Sequence, residues 1–188
     1  MAEEEILRKA KEAGFDSAEI IDTNELHFDS SLRKYCRDNY CGNYGANYSC
    51  PPECGTPEEM KERALQYQKV LVLQTLTPVK DMTDSRETGE IKHRHNQMTW
   101  GLIDNLSGRI SPFLPVLAGP CGICKVCEKK MGNPCRQPEK KASCVSAYCI
   151  LVADLASRCH MAYWCQEEVA FFSLLFFSPK TTKPGTKE

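Results

Sequence analysis

The 188-residue chain has no apolar run long enough to cross a bilayer. Its longest candidate, Val169 to Phe177, suits a buried strand better than a membrane helix. No secretory leader is expected either. The opening Met1-Ala2-Glu3-Glu4-Glu5 is acidic, whereas a leader starts basic and continues into an apolar stretch. A cytoplasmic protein without a membrane contact is therefore expected. Neither sign of charge dominates: 24 basic and 25 acidic residues leave a net charge of −1, so there is no basic footprint for nucleic acid. The local cluster Lys92-His93-Arg94-His95 reads as the solvated face of a helix, with His93 and His95 both at the surface. The chain also lacks a G-x-G-x-x-G after a strand, a G-x4-G-K-[ST] and a G-x-S-x-G. Nucleotide binding and serine hydrolase chemistry thus have no support.

Cysteine is what the chain has in plenty, with 12 residues. Small secreted modules use that many as disulfides because they cannot build a core. A chain of this length can build one, so metal ligation is the preferred use.

Helices and strands alternate along the sequence. Helix formers run from Glu3 to Ala13 and stop at Gly14; Ala18–Asp22 reads as a strand and Ser30–Tyr35 as a short helix. Thr56-Pro57-Glu58-Glu59 is a capping box with Pro at the first helical position, opening a helix to about Gln66. Lys69–Leu76 is a buried-type strand, Asp84–Leu106 a helix with a strongly polar side, and Phe113–Ala118 a strand. A helix over Ala147–Arg158 and a strand over Val169–Phe177 follow. The expected fold is α+β: a single domain over residues 1–178 with a small central sheet of about four strands, helices packed on it, and two irregular cysteine-rich loops. Residues 179–188 read as a disordered polar tail.

The strongest motif is Cys121-Gly-Ile-Cys124-Lys-Val-Cys127, followed by Cys135. Two-residue gaps let three thiolates converge on three corners of a cubane, and a remote cysteine reaches the fourth, as in bacterial ferredoxins. Zinc sites more often separate two C-x2-C hooks by a dozen residues or more. Gly122 leaves room for close backbone approach to inorganic sulfide. The other loop is Cys36-x4-Cys41-x8-Cys50-Pro51-Pro52-Glu53-Cys54. Its C-P pair resembles the remote ligand of ferredoxins, and its interleaved Gly42, Asn43, Gly45 and Asn47 tolerate the left-handed backbone of a tight loop. Cys144, Cys149, Cys159 and Cys165 follow with gaps of four, nine and five residues, a loose echo of the first loop that makes a third metal site conceivable. An apolar helix between Cys149 and Cys159 favours core packing for these thiols instead. Arg136 and Glu139 read as a structural ion pair, with Arg136 as a charge partner for a cluster the sharper alternative. Tyr40, Tyr44 and Tyr48 either shield a cluster or pack on the body of the domain.

Arg33-Lys-Tyr-Cys36, Asn39-Tyr-Cys41-Gly42-Asn-Tyr44-Gly45-Ala-Asn47-Tyr48-Ser-Cys50-Pro51-Pro52 and Gly55 together resemble domain-of-unknown-function family 2284, described as predicted metal-binding proteins. The resemblance continues through Ala118-Gly119-Pro120-Cys121, Cys124, Cys127, Pro134-Cys135-Arg136-Gln-Pro138-Glu139-Lys140, Ser143, Ala147-Tyr148 and Phe172. It implies bound iron–sulfur clusters in a soluble prokaryotic protein, often from anaerobes, with no settled reaction. The family pattern matches Cys36, Cys41, Cys50, Cys121, Cys124, Cys127 and Cys135. Cys54, Cys144, Cys149, Cys159 and Cys165 fall where it calls for no cysteine, and Cys149 stands at a glycine position.

The expectation is two [4Fe-4S] clusters, one on Cys36, Cys41, Cys50 and Cys54 and one on Cys121, Cys124, Cys127 and Cys135. Their expected role is electron transfer to a redox partner protein. The alternatives are an enzyme whose first cluster keeps an open iron for a small molecule or sulfide, and a structural zinc module. Ligation by Cys54 separates the closed site from the open one.

Overall fold

A computed structural model describes residues 2–108, 110 and 113–179. Helix α1 (Glu3–Glu12) leads into β1 (Ser17–Asp22). A 3-10 turn at Ser30–Leu32 runs directly into the short helix α2 (Arg33–Arg37), so Cys36 lies on helix rather than at the start of a loop. Then come α3 (Pro57–Leu65), β2 (Lys69–Pro78), α4 (Ser85–Leu106), β3 (Phe113–Leu117), β4 (Ser143–Cys144), α5 (Val152–Arg158) and β5 (Glu168–Phe177). The capping box forms as its spacing requires: the Glu59 amide donates to Thr56 Oγ1 at 3.2 Å and the Thr56 amide to Glu59 Oε2 at 2.8 Å.

The fold is α+β. The strands form one mixed sheet in the order β1-β2-β5-β3-β4, antiparallel except for the β3–β4 pair. Its central strands are covered on both faces. Val70 and Val72 of β2 and Leu174 and Phe176 of β5 pack with Met60 and Ala64 of α3 and Leu155 of α5. Leu71, Leu73, Leu175 and Phe177 point the other way, onto Ile6 and Ala10 of α1 and Leu102 and Leu106 of α4. Burial on both faces is why these strands read as unbroken apolar runs rather than as alternation.

The structure departs from the sequence reading in three further places. The sheet has a fifth strand, β4, whose two residues are too few to show a period. The last helix starts at Val152, not Ala147, because Cys149 takes a left-handed backbone, φ +55°, that an α-helix cannot continue through. His95 is not a surface residue. It is 1 % exposed, since α4 buries Ile91, His95, Thr99, Leu102 and Leu106 along one helical stripe. Its Nδ1 sits 2.8 Å from Thr75 Oγ1 and its ring meets Phe15 edge-on. Burial lowers its pKa to about 4. His93 is exposed, as expected. Among the described residues no helix is long and apolar enough to cross a membrane. The polar tail, apart from Pro179, lies outside the described residues.

Candidate metal centre

Both cysteine loops leave the body of the domain near the β3–β4 edge of the sheet. The first spans the gap between α2 and α3, and the second connects β3 to β4. Hydrogen bonds stitch them together. Asn47 Nδ2 donates to the Cys121 carbonyl at 3.0 Å, the Cys121 amide donates to Ser49 Oγ at 2.9 Å, and Tyr48 Oη donates to the Asn133 carbonyl at 2.7 Å. Lys129 closes the seam with an ion pair to Glu53 at 2.6 Å. Two cavities flank this seam, each lined by cysteines.

The cavity in the second loop has Cys121, Cys124, Cys127 and Cys135 in its wall, so the structure brings all four together. It is narrow, about 20 Å³. The surrounding loop is irregular apart from two 3-10 turns. Burial pushes the Cys121 thiol up, and the backbone amides of Ile123 and Ala142, which donate to its sulfur, oppose that rise. Glu128, 4 % exposed, also lines this wall and accepts from Asn133 Nδ2 at 2.9 Å. Arg136 is ion-paired as expected, but its partner is Glu128 rather than Glu139. The pair sets one fixed positive charge beside the cavity with its own counter-charge.

The first cavity is wider, about 280 Å³, and mostly apolar at its rim, where Tyr35, Tyr40 and Tyr44 stand. Tyr48, by contrast, belongs to the second cavity. Cys36, Cys41 and Cys50 line the first cavity together with Cys144. Cys54 is not in its wall: the Cys54 thiol lies 3.3 Å from Met60 Sδ, in the core beneath α3. Gly42 and Gly45 have φ of +67° and +66°, conformations that turn the loop around the cavity at little steric cost. Burial pushes the Cys50 thiol up to about 12 and the Cys144 thiol up to about 11, and each is pushed further by neighbouring cysteines. Bare thiols here stay protonated at neutral pH, whereas a bound cationic metal reverses that logic and deprotonates them.

Arg33 holds this site in place. Its guanidinium, 6 % exposed, donates to the Gly55 carbonyl at 2.8 Å, the Ala147 carbonyl at 2.8 Å and Met60 Sδ at 3.4 Å. One side chain therefore ties the end of the first loop, α3 and the turn after Cys144. Its charge also opposes the rise that burial imposes on Cys36 and Cys54. Arg33 and Ser49 were not singled out as functional on sequence. A charged residue opening the turn that carries Cys36 is the signal for the first; nothing local marks the second.

Cys149, Cys159 and Cys165 line neither cavity. Cys149 and Cys159 are buried in the core, and the Cys159 thiol feels Glu19 and Glu25, on and just after β1 at the opposite edge of the sheet. Among the described residues no group of three histidine, cysteine or carboxylate side chains is placed to hold a metal ion.

The family model for a predicted metal-binding protein, domain-of-unknown-function family 2284, matches residues 19–177. No curated protein and no solved structure matches the chain.

Proposed function

The chain belongs to that family of predicted metal-binding proteins, and on that premise we propose that it binds two [4Fe-4S] clusters side by side and relays electrons between them and a redox partner. The observation that carries the reading is the pair of adjacent cavities, one lined by Cys121, Cys124, Cys127 and Cys135 and the other by Cys36, Cys41 and Cys50 with a further cysteine. Tetrahedral zinc with bonds of about 2.3 Å would hold its sulfurs under about 4 Å apart. Thiolates on the corners of a cubane stand further apart and surround a volume, which suits the cysteines that line the first cavity of about 280 Å³.

When bound, a four-iron cluster takes up and gives back one electron at a time. The chain's own residues bind, shield and connect. Amides of Ile123 and Ala142 face the Cys121 sulfur, and the amide of Ala147 faces that of Cys144; such donors stabilise negative charge on ligand sulfur. Ser49 connects the sites, with its Oγ 3.9 Å from Cys50 Sγ and accepting from the Cys121 amide at 2.9 Å. Exposed Tyr40 at the mouth of the first cavity, and exposed Val126 and Met131 on the second loop, offer apolar surface where a partner protein docks.

A second reading, an enzyme with an open iron in the first cluster, draws on one observation. A neighbouring cavity of about 250 Å³ shares Gly119, Cys144 and Ser146 with the first, which leaves space for a small substrate. Metal analysis tests the cluster reading common to both. Anaerobically purified protein should be brown, carry about eight irons and eight acid-labile sulfides per chain, and bleach with dithionite. Colourless protein with stoichiometric zinc overturns it.

A further inference from the structure

We infer that Cys144 supplies the fourth thiolate of the first cluster, closing it, and that Cys54 does not. The inference rests on the two-cluster reading and sharpens it by naming the ligand set Cys36, Cys41, Cys50 and Cys144. All four residues line the same cavity, and Cys54 does not.

The topology explains how a residue more than ninety positions from Cys50 arrives there. Strand β4 lies parallel to β3 with Cys144 opposite Leu117. Leu117 is the last residue before the chain departs through Gly119 and Pro120, which themselves line the cavity. The Cys144 carbonyl accepts from the amides of Ala147 and Tyr148 at 3.0 and 3.3 Å, fixing the turn that follows. Arg33 then clamps that turn, through Ala147, to the same helix that carries Cys36. The first cavity is thus closed from the sheet side by a residue held on a strand and a turn, not on a free loop.

Cys54 has other company. Its thiol faces Met60 Sδ, it is part of the apolar core, and its carbonyl accepts from Arg63 at 3.3 Å. Sequence proximity to Cys50 suggested Cys54, but its side chain serves packing. Four thiolates on four irons leave no open coordination position, so the assignment favours electron relay over the open-site enzyme.

The test uses full-length protein purified anaerobically as wild type, Cys144→Ala, Cys144→Ser, Cys54→Ala and Cys36→Ala, with far-UV circular dichroism as a folding control. The readouts are iron and sulfide per chain and the electron paramagnetic resonance of oxidised and reduced forms. Cys144→Ala should lose between one iron, giving a three-iron signal on oxidation, and all of the first cluster, about half the iron. Cys144→Ser, nearly isosteric, keeps the fold and either loses the same iron or shows a shifted first-site signal through its oxygen ligand. Cys54→Ala should match wild type. Full iron and an unchanged spectrum in both Cys144 variants, with Cys36→Ala losing about half, overturns the assignment while leaving the two-cluster reading intact. Iron loss in Cys54→Ala alone overturns it in favour of Cys54. Wild-type protein without iron and sulfide overturns the reading itself, and the assignment with it.

Discussion

Substituting Cys149 should erase most of the ordinary preference for alanine over glycine, and Cys159 provides the control. Both are buried cysteines, 1 % and 6 % exposed. They differ in backbone. Cys149 has φ +55°, whereas Cys159, the C-cap of α5, has φ −87°. At an ordinary buried position glycine gives up roughly 0.5–1 kcal/mol of backbone entropy relative to alanine, and the lost methyl removes up to about 0.8 kcal/mol of burial. Cys159→Gly should therefore be less stable than Cys159→Ala by about 1.5 kcal/mol. At Cys149 alanine must also carry the left-handed strain, roughly 1–2 kcal/mol for a residue with a Cβ, which glycine avoids. There the two substitutions should fall within about 1 kcal/mol of each other. The gap should thus shrink by about 1–2 kcal/mol between the two positions, or roughly 2–8 °C in melting temperature for a chain of this size. Thermal unfolding of the four variants under anaerobic conditions at one scan rate, with iron content checked in each, measures it. Equal alanine–glycine gaps at both positions would refute the reasoning, because the backbone at Cys149 would then carry no strain.

Cys124→Ser should lose about half the iron, because three ligands in a short run leave no nearby thiol to substitute; full retention with an unchanged spectrum would remove the central support for the second site. His95 makes stability depend on pH. Its folded pKa, about 4, lies below the unfolded value near 6.5, so the unfolded chain binds the extra proton between those limits. Stability is complete above about pH 6.5 and falls by about 3 kcal/mol as pH drops toward 4. A wild-type minus His95→Gln difference in denaturant midpoint across that window should show this slope, and a flat difference contradicts it. Arg33→Met leaves the Gly55 and Ala147 carbonyls without their donor and should cost at least about 2 kcal/mol. Iron should be lost from the first site before the second, as read by paramagnetic resonance during mild chelation; simultaneous loss counts against the clamp.

The second cysteine set was legible because its ligand spacing is local. Two-residue gaps place three thiols on one short turn whatever the rest of the fold does, and the wall of the second cavity follows that spacing. The main elements were legible for similar reasons. The Thr56–Glu59 capping box, the apolar runs of β2 and β5 and the Asp84 cap of α4 are statements about neighbours in sequence. What failed was set by partners far along the chain. His95 stands in a polar stretch, Lys92-His93-Arg94-His95, and only its place on the stripe that α4 turns toward β2 and β5 buries it.

The sequence by itself determined that this chain folds as α+β and which loop holds four cysteines around one cavity, because each rests on periodicity or short spacing, and its motifs carried the resemblance to a family of predicted metal-binding proteins. Tertiary structure alone decided what surrounds the first cavity. Cys54 is four residues from Cys50 yet faces Met60, while Cys144 comes from the far side of the second loop. A two-residue parallel pairing of β4 on β3, clamped by one buried arginine, brings it there. Neither leaves a periodic trace in the sequence, since two residues are too few for a period and a guanidinium's reach is set by the packed core rather than by spacing along the chain.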